Sequence, residues 1–557
     1  MRRIAEHRQI GDKKVLPFTI PSGIVMTEVS CLEKLAREVD ELGILTTKSI
    51  GPKPRLVPEK GRLAAGIQLG QANWEPIFAQ YMPYGFVNAV GLANPGAEEF
   101  DKKLASANLP KNKFLLASIF GSNSHDFIYV AKTLENRVDG FELNLSCPHA
   151  KGYGMQLGQD PAVVYEIVQA VARNTRRIVF AKLTPNAGNI GEIAKAAVSA
   201  GAYGIVAINT VGPGYHSWDG HPVLTNRVGG LSGIGIKPIG LKCVRDIRQA
   251  VGESIPIIGM GGIRTVVDVE DYADAGANFF GIGSALAGMN DWEIKMYFAA
   301  LRGDLDSNGH TNNASLALTP VNMEYRKARV SDIVNPECDF KVFVTNESLS
   351  DAHPGQFVFA WLPGIGEKPF SIMDNDPLTL GILERGDFTK AFNSLKKRDS
   401  FYFRGPYGET PSIEPDTQVV LVGGGCGIAG VYFFAKSLKN NRIISVLGAK
   451  DKAHIPYAKE FEHCEQLHMA TEDGSTGIKG MVTDVLKNIN LEKNCYFINC
   501  GPKAMVEAVL PFELEISSPE RIYSSVDYMT RCGVGICGSC ADKKGRRTCV
   551  QGPFMNP

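Results

Sequence analysis

Gly140-Phe141-Glu142-Leu143-Asn144-Leu145-Ser146-Cys147-Pro148-His149 is a hydrophobic run that breaks into a glycine-rich loop, with an amide at its end and one thiol beside a turn-forming proline. A lone cysteine is usually a small buried hydrophobe, so the meaning of this one depends on its surroundings. Eight short β-rich runs, at 44–49, 85–90, 114–119, 140–145, 178–183, 204–209, 256–261 and 279–284, alternate with stretches long enough for helices. Residues 162–171, 190–200 and 266–275 carry helical periodicity. Eight alternations suit a (β/α)8 TIM barrel of about 250 residues; a doubly wound open sheet is the rival.

The polar residues favour the barrel. Lys48, Asn88, Ser118, Asn144, Lys182 and Asn209 all fall at or near the C-terminal end of a run, where a barrel places its active site. The last two runs end in Gly259-Met260-Gly261-Gly262 and Gly281-Ile282-Gly283-Ser284. Such turns are either tight βα connections or, paired after strands seven and eight, a phosphate cradle of bare backbone N–H groups.

Composition narrows the class. With 557 residues and 44% hydrophobic content the chain has core for three or four domains. Lys+Arg and Asp+Glu balance at 59 each, so no global field favours nucleic acid or an anionic membrane. Residues 1–14 are basic but lead into no apolar segment, and no run approaches the ~20 apolar residues of a membrane span. Four of the twelve cysteines fall between Cys532 and Cys549, which argues for a metal site in a reducing compartment. A cytoplasmic protein is the expectation.

The first ~300 residues resemble the catalytic chain of class 1 dihydroorotate dehydrogenases, which are FMN-binding barrels. The matching segments are Pro21-Ser22-Gly23, Thr47-Lys48-Ser49, Asn88-Ala89-Val90-Gly91-Leu92 with Asn94-Pro95-Gly96, Asn144 to Pro148, Ala181 to Asn186, Ile208-Asn209-Thr210 and the two glycine turns. The resemblance implies that Cys147 is the base removing a proton from the substrate, and an unperturbed thiol pKa of ~8.5 suits that task. It implies Lys48, Asn88, Gly91, Leu92, Asn144, His149, Asn209 and Thr210 at the substrate. It implies Ser22, Gly23, Lys48, Ser49, Ser118, Asn144, Lys182, Gly233, Gly261, Gly262, Gly283 and Ser284 at FMN, with Lys182 stabilising negative charge on the reduced ring.

His149 departs from the family, which usually has asparagine there; the variant resembles the pyrimidine-reducing domain of dihydropyrimidine dehydrogenase. Against that reading, those enzymes carry an acidic residue where this chain has Val90. Dihydroorotate is therefore the expected substrate and dihydrouracil the alternative. A tRNA-modifying dihydrouridine synthase is disfavoured by the zero net charge and the lack of a basic appended domain.

Residues 304–320 read as a polar linker after a dehydrogenase domain at 1–303. Residues 321–412 show short strands without helical periodicity. Lys368-Pro369-Phe370-Ser371 and Gly405-Pro406-Tyr407-Gly408 resemble the FAD-binding β-barrel of ferredoxin-reductase-type proteins, implying Lys368, Pro369, Phe370, Ser371, Gly405, Tyr407 and Gly408 at FAD. The family's arginine is replaced by Lys368, a point charge without a fork. An unspecified small β-barrel is the alternative.

Across 413–518, a hydrophobic strand at 417–422 runs into Gly423-Gly424-Gly425-Cys426-Gly427-Ile428-Ala429-Gly430. Gly425, Gly427 and Gly430 fit G-x-G-x-x-G between strand and helix, where a pyrophosphate can approach the helix N-terminus. Cys500-Gly501-Pro502 resembles the reductase family's nicotinamide motif, and together the two point to NAD. Asp451 is a candidate for a ribose hydroxyl, and neighbouring Lys450 leaves NAD versus NADP open.

In 519–557, Cys532-x4-Cys537-x2-Cys540-x8-Cys549 has the plant-type 2Fe-2S spacing, with three thiolates from a tight loop and the fourth expected on a later strand. Structural zinc is the rival, although it favours two paired C-x2-C knuckles. This end resembles the electron-transfer subunit of NAD-linked (class 1B) dihydroorotate dehydrogenase, normally a separate polypeptide. The combined resemblance implies a path from substrate through FMN, the cluster and FAD to NAD, and a dimer formed through the barrel. The alternative of another class is an electron-transfer module serving a partner protein.

Overall fold

The computed structural model describes residues 4–55, 63–64, 67–68, 76–83, 85–145, 154–224, 226–306, 321–335, 337–455, 457–461, 463–526 and 529–557. Two compact units emerge. One comprises Met1–Gln71, Pro76–Val321 and Val534–Arg547; the other comprises Ala72–Glu75, Asn322–Gly533 and Thr548–Pro557.

The first unit is a closed parallel barrel. Its strands in chain order are Phe18–Ile20, Leu42–Thr46, Phe114–Ile119, Gly140–Asn144, Ile178–Lys182, Gly204–Ala207, Ile257–Met260 and Phe279–Gly281. Alternate residues face opposite ways, so each strand needs two apolar faces. Ile44, Phe114, Phe180, Val206, Ile258 and Phe279 form one cluster with Ile10 and Val15. Their neighbours Leu45, Leu115, Val179, Ala181, Ile205 and Ile257 belong to a second, which includes helix residues such as Val164, Ile193 and Val244. Ile10 and Val15 lie on the hairpin Arg8–Ile10/Lys13–Val15, whose Gly11 N–H donates to the Tyr203 hydroxyl at 3.0 Å just before the sixth strand. The hairpin thus packs at the N-terminal ends of the strands, and the polar C-terminal ends form the mouth.

The run at 85–90 is not a barrel strand, contrary to the sequence expectation. Gly85–Asn88 lies in a separate antiparallel sheet ordered Val211–Tyr215, Val228–Gly233, Gly85–Asn88, Phe78–Met82. A parallel neighbour needs a long crossover, whereas this run is joined to Phe78–Met82 as a hairpin. The barrel's first strand is instead Phe18–Ile20, three residues long and too short to register as a periodic run.

The second unit holds an antiparallel sheet and a parallel one. The antiparallel sheet runs Gly366–Ser371, Phe357–Leu362, Ser400–Tyr407, Arg326–Val334, Phe340–Thr345, Leu378–Leu383, Asp374–Asn375. The parallel sheet runs Ile478–Lys479, Gln466–Thr471, Arg442–Ala449, Gln418–Gly424, Tyr496–Cys500, Ile522–Ser525. Chain order reverses at Gln418–Gly424, so the ends of that strand and of Tyr496–Cys500 flank a topological switch point, where open α/β sheets bind ligands. Helix Ile428–Ser437 follows the glycine turn and is buried from Ile428 through Ala435, as expected of a helix that is apolar all round. No helix among the described residues is long and apolar enough to cross a membrane.

Candidate functional site

The barrel mouth holds a cleft of about 1120 Å³, open space at its entrance included. Its walls are the loops that follow the strands. Ser22 and Gly23 come from the first, Lys48 and Ser49 from the second, Asn144 and Lys182 from the ends of the fourth and fifth, and Asn209 and Thr210 from beyond the sixth. Gly261, Gly262, Gly283 and Ser284 follow the last two, while Asn88, Gly91, Leu92 and Gly233 enter from the antiparallel sheet and its loop. Ser118 does not line the cleft. It is fully buried one layer below, its Oγ 2.8 Å from Ser49 Oγ. Cys147 and His149 lie outside the described residues.

Hydroxyls fix the amides. Ser49 Oγ lies 2.9 Å from Ser22 Oγ and accepts from Asn144 Nδ2 at 2.9 Å, so the Asn144 side chain is held in one orientation. Asn94 orders the next wall: its Oδ1 accepts from the N–H groups of Gly51 at 3.0 Å and Gly96 at 2.9 Å, and its Nδ2 donates to the Leu92 carbonyl at 3.0 Å. These bonds hold Leu92 at φ +60°, a left-handed conformation that costs a branched residue about 1–3 kcal/mol and concentrates at ligand sites.

Lys182 and Asn144 are partners across adjacent strands. The Lys182 ammonium, with its side chain 4% exposed, lies 3.4 Å from Glu142 Oε1, whose side chain is 1% exposed. An unpaired charge buried this deeply would be costly; Glu142 makes a cation on the cleft wall tenable. Glu142 was missed as a site residue, yet a carboxylate inside a buried parallel strand, two positions before Asn144 and so on its face, is a legible signal.

At the glycine turns two backbones meet. A Cβ on Gly262 would stand 2.8 Å from the Gly233 carbonyl oxygen, and Gly262 itself has φ +81°, so only glycine fits. The Tyr272 hydroxyl donates to the Gly261 carbonyl at 2.7 Å, supporting the turn from a position that sequence reading did not identify.

A second cleft lies within the other unit, at the switch point. Lys368, Pro369, Phe370 and Ser371 line one side; Cys426, Gly427, Cys500, Gly501 and Pro502 line the other. Gly425 and Gly430 do not line it. Gly430 serves packing instead, since its Cβ would stand 2.6 Å from Cys500 Sγ, and one on Gly427 would stand 2.0 Å from the Cys500 carbonyl oxygen. Burial pushes the Cys500 thiol up to about 12, which keeps it protonated near neutral pH. Gly405, Tyr407 and Gly408 also do not line the cleft. The Tyr407 hydroxyl accepts from Arg404 Nη1 at 3.1 Å and donates to the Asn322 carbonyl at 2.9 Å, while Gly408 packs on Gly552. Arg385, not singled out beforehand, does line it and supplies the guanidinium fork absent at Lys368. Asp451 is engaged by His454 Nδ1 at 2.7 Å.

The division into units passes through the cysteine segment. In the first unit, Val25 N–H donates to the Ile536 carbonyl at 2.8 Å and Thr27 Oγ1 to the Cys537 carbonyl at 2.9 Å. Arg547, fully buried, donates to the carbonyls of Gly535 and Met289 and pairs with Asp291 at 2.9 Å. The loop bearing Cys537 and Cys540 therefore packs against the barrel segment that continues directly from Ser22 and Gly23. In the second unit, Arg404 donates to the Cys532 carbonyl at 2.8 Å and forms a two-pronged pair with Glu367 at 2.6 and 2.7 Å. Cys549 lies in the helical turn Thr548–Gln551 rather than on a strand, because Gly552 N–H closes back onto the Thr548 carbonyl at 3.1 Å. Cys532, Cys537, Cys540 and Cys549 are all buried and free of disulfides.

The dihydroorotate dehydrogenase family model matches residues 10–296. The catalytic subunit of dihydroorotate dehydrogenase B (NAD(+)) from Pyrococcus abyssi (strain GE5 / Orsay) is 42% identical over 280 residues, 50% of this chain and 85% of that subunit. Its counterpart in Methanocaldococcus jannaschii is 40% identical over 274 residues, 48% of this chain and 83% of the relative. A solved chain of an NADH-dependent reduced ferredoxin-NADP oxidoreductase is 29% identical over 41% of this chain and 87% of its own length, at a TM-score of 0.38.

Proposed function

The chain belongs to the dihydroorotate dehydrogenase family, and from that premise we propose that it interconverts dihydroorotate and orotate at FMN in the barrel, with electrons passed through a 2Fe-2S cluster and FAD to or from NAD. The observation that carries this reading is the barrel cleft, where Asn88, Asn144, Asn209, Lys48 and Lys182 converge above the Gly233–Gly262 contact. Three amides suit the imide and amide edge of a pyrimidine. Val90 also lines the cleft, so no acidic side chain at that position opposes a substrate carboxylate, which favours dihydroorotate over dihydrouracil.

The residues fit the proposed groups. The glycine cradle that a Cβ would fill suits a flavin phosphate, and four buried cysteines outside any disulfide suit an iron-sulfur donor set. FMN, FAD and the cluster would supply redox chemistry that no side chain offers.

The chain does the rest. Lys182, backed by Glu142, presents positive charge where the ring gains electrons, and Asn144, oriented by Ser49, fixes the substrate plane. Cys147, assigned on the family resemblance, takes the proton from the carbon next to the one that gives up a hydride. The products are orotate, NADH and one proton. Cytoplasmic residence, a barrel-mediated dimer and the division into 1–303, 321–412, 413–518 and 519–557 belong to the same proposal.

The test is anaerobic. Dihydroorotate bleaches the flavin absorbance of the purified chain and dihydrouracil does not; the reverse preference contradicts the substrate assignment. Cys147→Ala slows bleaching about 10²–10⁴-fold, the usual worth of a general base, while NADH still reduces the flavins at the native rate.

A further inference from the structure

We propose that Cys338, Asp339 and His454 form a zinc site that ties the antiparallel sheet of the second unit to its parallel sheet. Cys338 and Asp339 lie in the turn between strands Arg326–Val334 and Phe340–Thr345, and His454 ends the 3-10 turn Lys452–His454 beyond strand Arg442–Ala449. One ligand atom from each lies within 4.8 Å of the other two. None of the three belongs to either cleft or to the cysteine segment.

The spacing suits zinc. With ~2.3 Å to sulfur and ~2.0 Å to nitrogen or oxygen, a tetrahedral zinc site has edges of roughly 3.5 Å between sulfur and each lighter ligand. Cys338 Sγ lies 3.7 Å from His454 Nε2 and 3.6 Å from Asp339 Oδ1. The Ala453 carbonyl oxygen, also 3.6 Å from this sulfur, stands at a fourth such edge. Asp339 Oδ1 is in hydrogen-bond contact with Nε2, closer than the roughly 3.3 Å of a metal-spanning edge. The Asp339 side chain is 45% exposed and is free to swing back by that amount.

The imidazole is held as a ligand is held. Asp451 Oδ1 lies 2.7 Å from His454 Nδ1 and accepts from the His454 backbone N–H at 3.2 Å. A carboxylate on Nδ1 is the second contact that carboxylate–histidine–zinc triads give an imidazole whose Nε2 binds the metal. Nε2, a carboxylate oxygen and a sulfur thus converge as three potential ligand atoms, with Lys450 Nζ 3.4 Å from the other oxygen of Asp339. In the metal-free chain the Cys338 thiol donates to Asp339 Oδ1 or to the Ala453 carbonyl, and zinc would take the place of that proton. Phe340 N–H donates to Cys338 Sγ at 3.5 Å, and Asn335 Nδ2 pins the Ala453 carbonyl at 2.7 Å. Thiolate with imidazole selects zinc over magnesium or calcium. Uptake releases the Cys338 thiol proton as the Zn–S bond forms.

The full chain is equilibrated with zinc under reducing conditions, freed of excess by gel filtration and assayed for zinc by mass spectrometry. Cys338→Ser and His454→Gln each carry one zinc fewer per chain than the unsubstituted protein, and Asp451→Asn binds that zinc about 10–100-fold more weakly in competition with a chromophoric chelator. Equal zinc content in all four proteins overturns the proposal. Should a variant fail to fold, the unsubstituted chain alone decides: micromolar zinc raises its unfolding midpoint and releases protons, and the absence of both overturns the site.

Discussion

Gly262 shows how narrowly a single residue conditions the barrel cleft. Its φ of +81° and the 2.8 Å separation between a built Cβ and the Gly233 oxygen leave no room for a side chain, so Gly262→Ala has to displace one of the two backbones forming the cradle. A cost of 1.4 kcal/mol at that contact is a factor of ten in affinity. Flavin released on dialysis reads it out: the alanine variant loses FMN at least about tenfold more readily, with the barrel's circular dichroism unchanged. Glu513 poses a different question. It is fully buried, with Asn499 Nδ2 donating to it at 2.9 Å, and burial raises its carboxyl from 4.5 to about 7 despite that bond. A raised folded-state value means the native protein binds the proton more tightly than the unfolded chain. The contribution is therefore complete below about pH 4.5 and is lost as pH rises to about 7, by roughly 3 kcal/mol at most. Urea unfolding between those limits shows this slope in the unsubstituted chain and a flatter one in Glu513→Gln; parallel slopes contradict the assignment.

Individual elements explain why some of the structure was legible and some was not. Seven of the eight barrel strands stand out in the sequence: five because burial on both faces makes them continuous apolar runs of four or more residues, Gly140–Asn144 despite its buried Glu142, and Phe279–Gly281 because a glycine turn marks the end. Phe18–Ile20 is too short for that signal, and Gly85–Asn88 imitates it while pairing in a different sheet. The cleft nevertheless contains Asn88, because the antiparallel sheet delivers to the mouth what a barrel strand was expected to deliver. Glu142, Tyr272 and Arg385 escaped notice for a common reason: their contributions depend on Lys182, on the Gly261 carbonyl and on the second cleft, none of which is near in sequence. Arg404 is the same kind of residue. It joins strand Ser400–Tyr407 to Glu367 on strand Gly366–Ser371 and to the Cys532 carbonyl, with side-chain exposures of 1% and 2% for the ion pair. Removing one partner strands the other charge, so Arg404→Leu lowers unfolding stability by about 3–5 kcal/mol. Replacing both, Arg404→Leu with Glu367→Gln, recovers a substantial part in the same urea titration; no recovery means that the carbonyl contacts, not the ion pair, hold this region.

For the whole molecule, one polypeptide carries a dehydrogenase-family barrel in its first unit and an antiparallel and a parallel sheet in its second. Cys537 and Cys540 lie in the segment that packs with the barrel, and Cys532 and Cys549 lie in the other unit. The most direct measurement mixes the purified chain anaerobically with dihydroorotate and NAD, without any other protein or mediator, and follows NADH and orotate together. One NADH per orotate over many turnovers is expected. Flavin bleaching without NADH formation contradicts it.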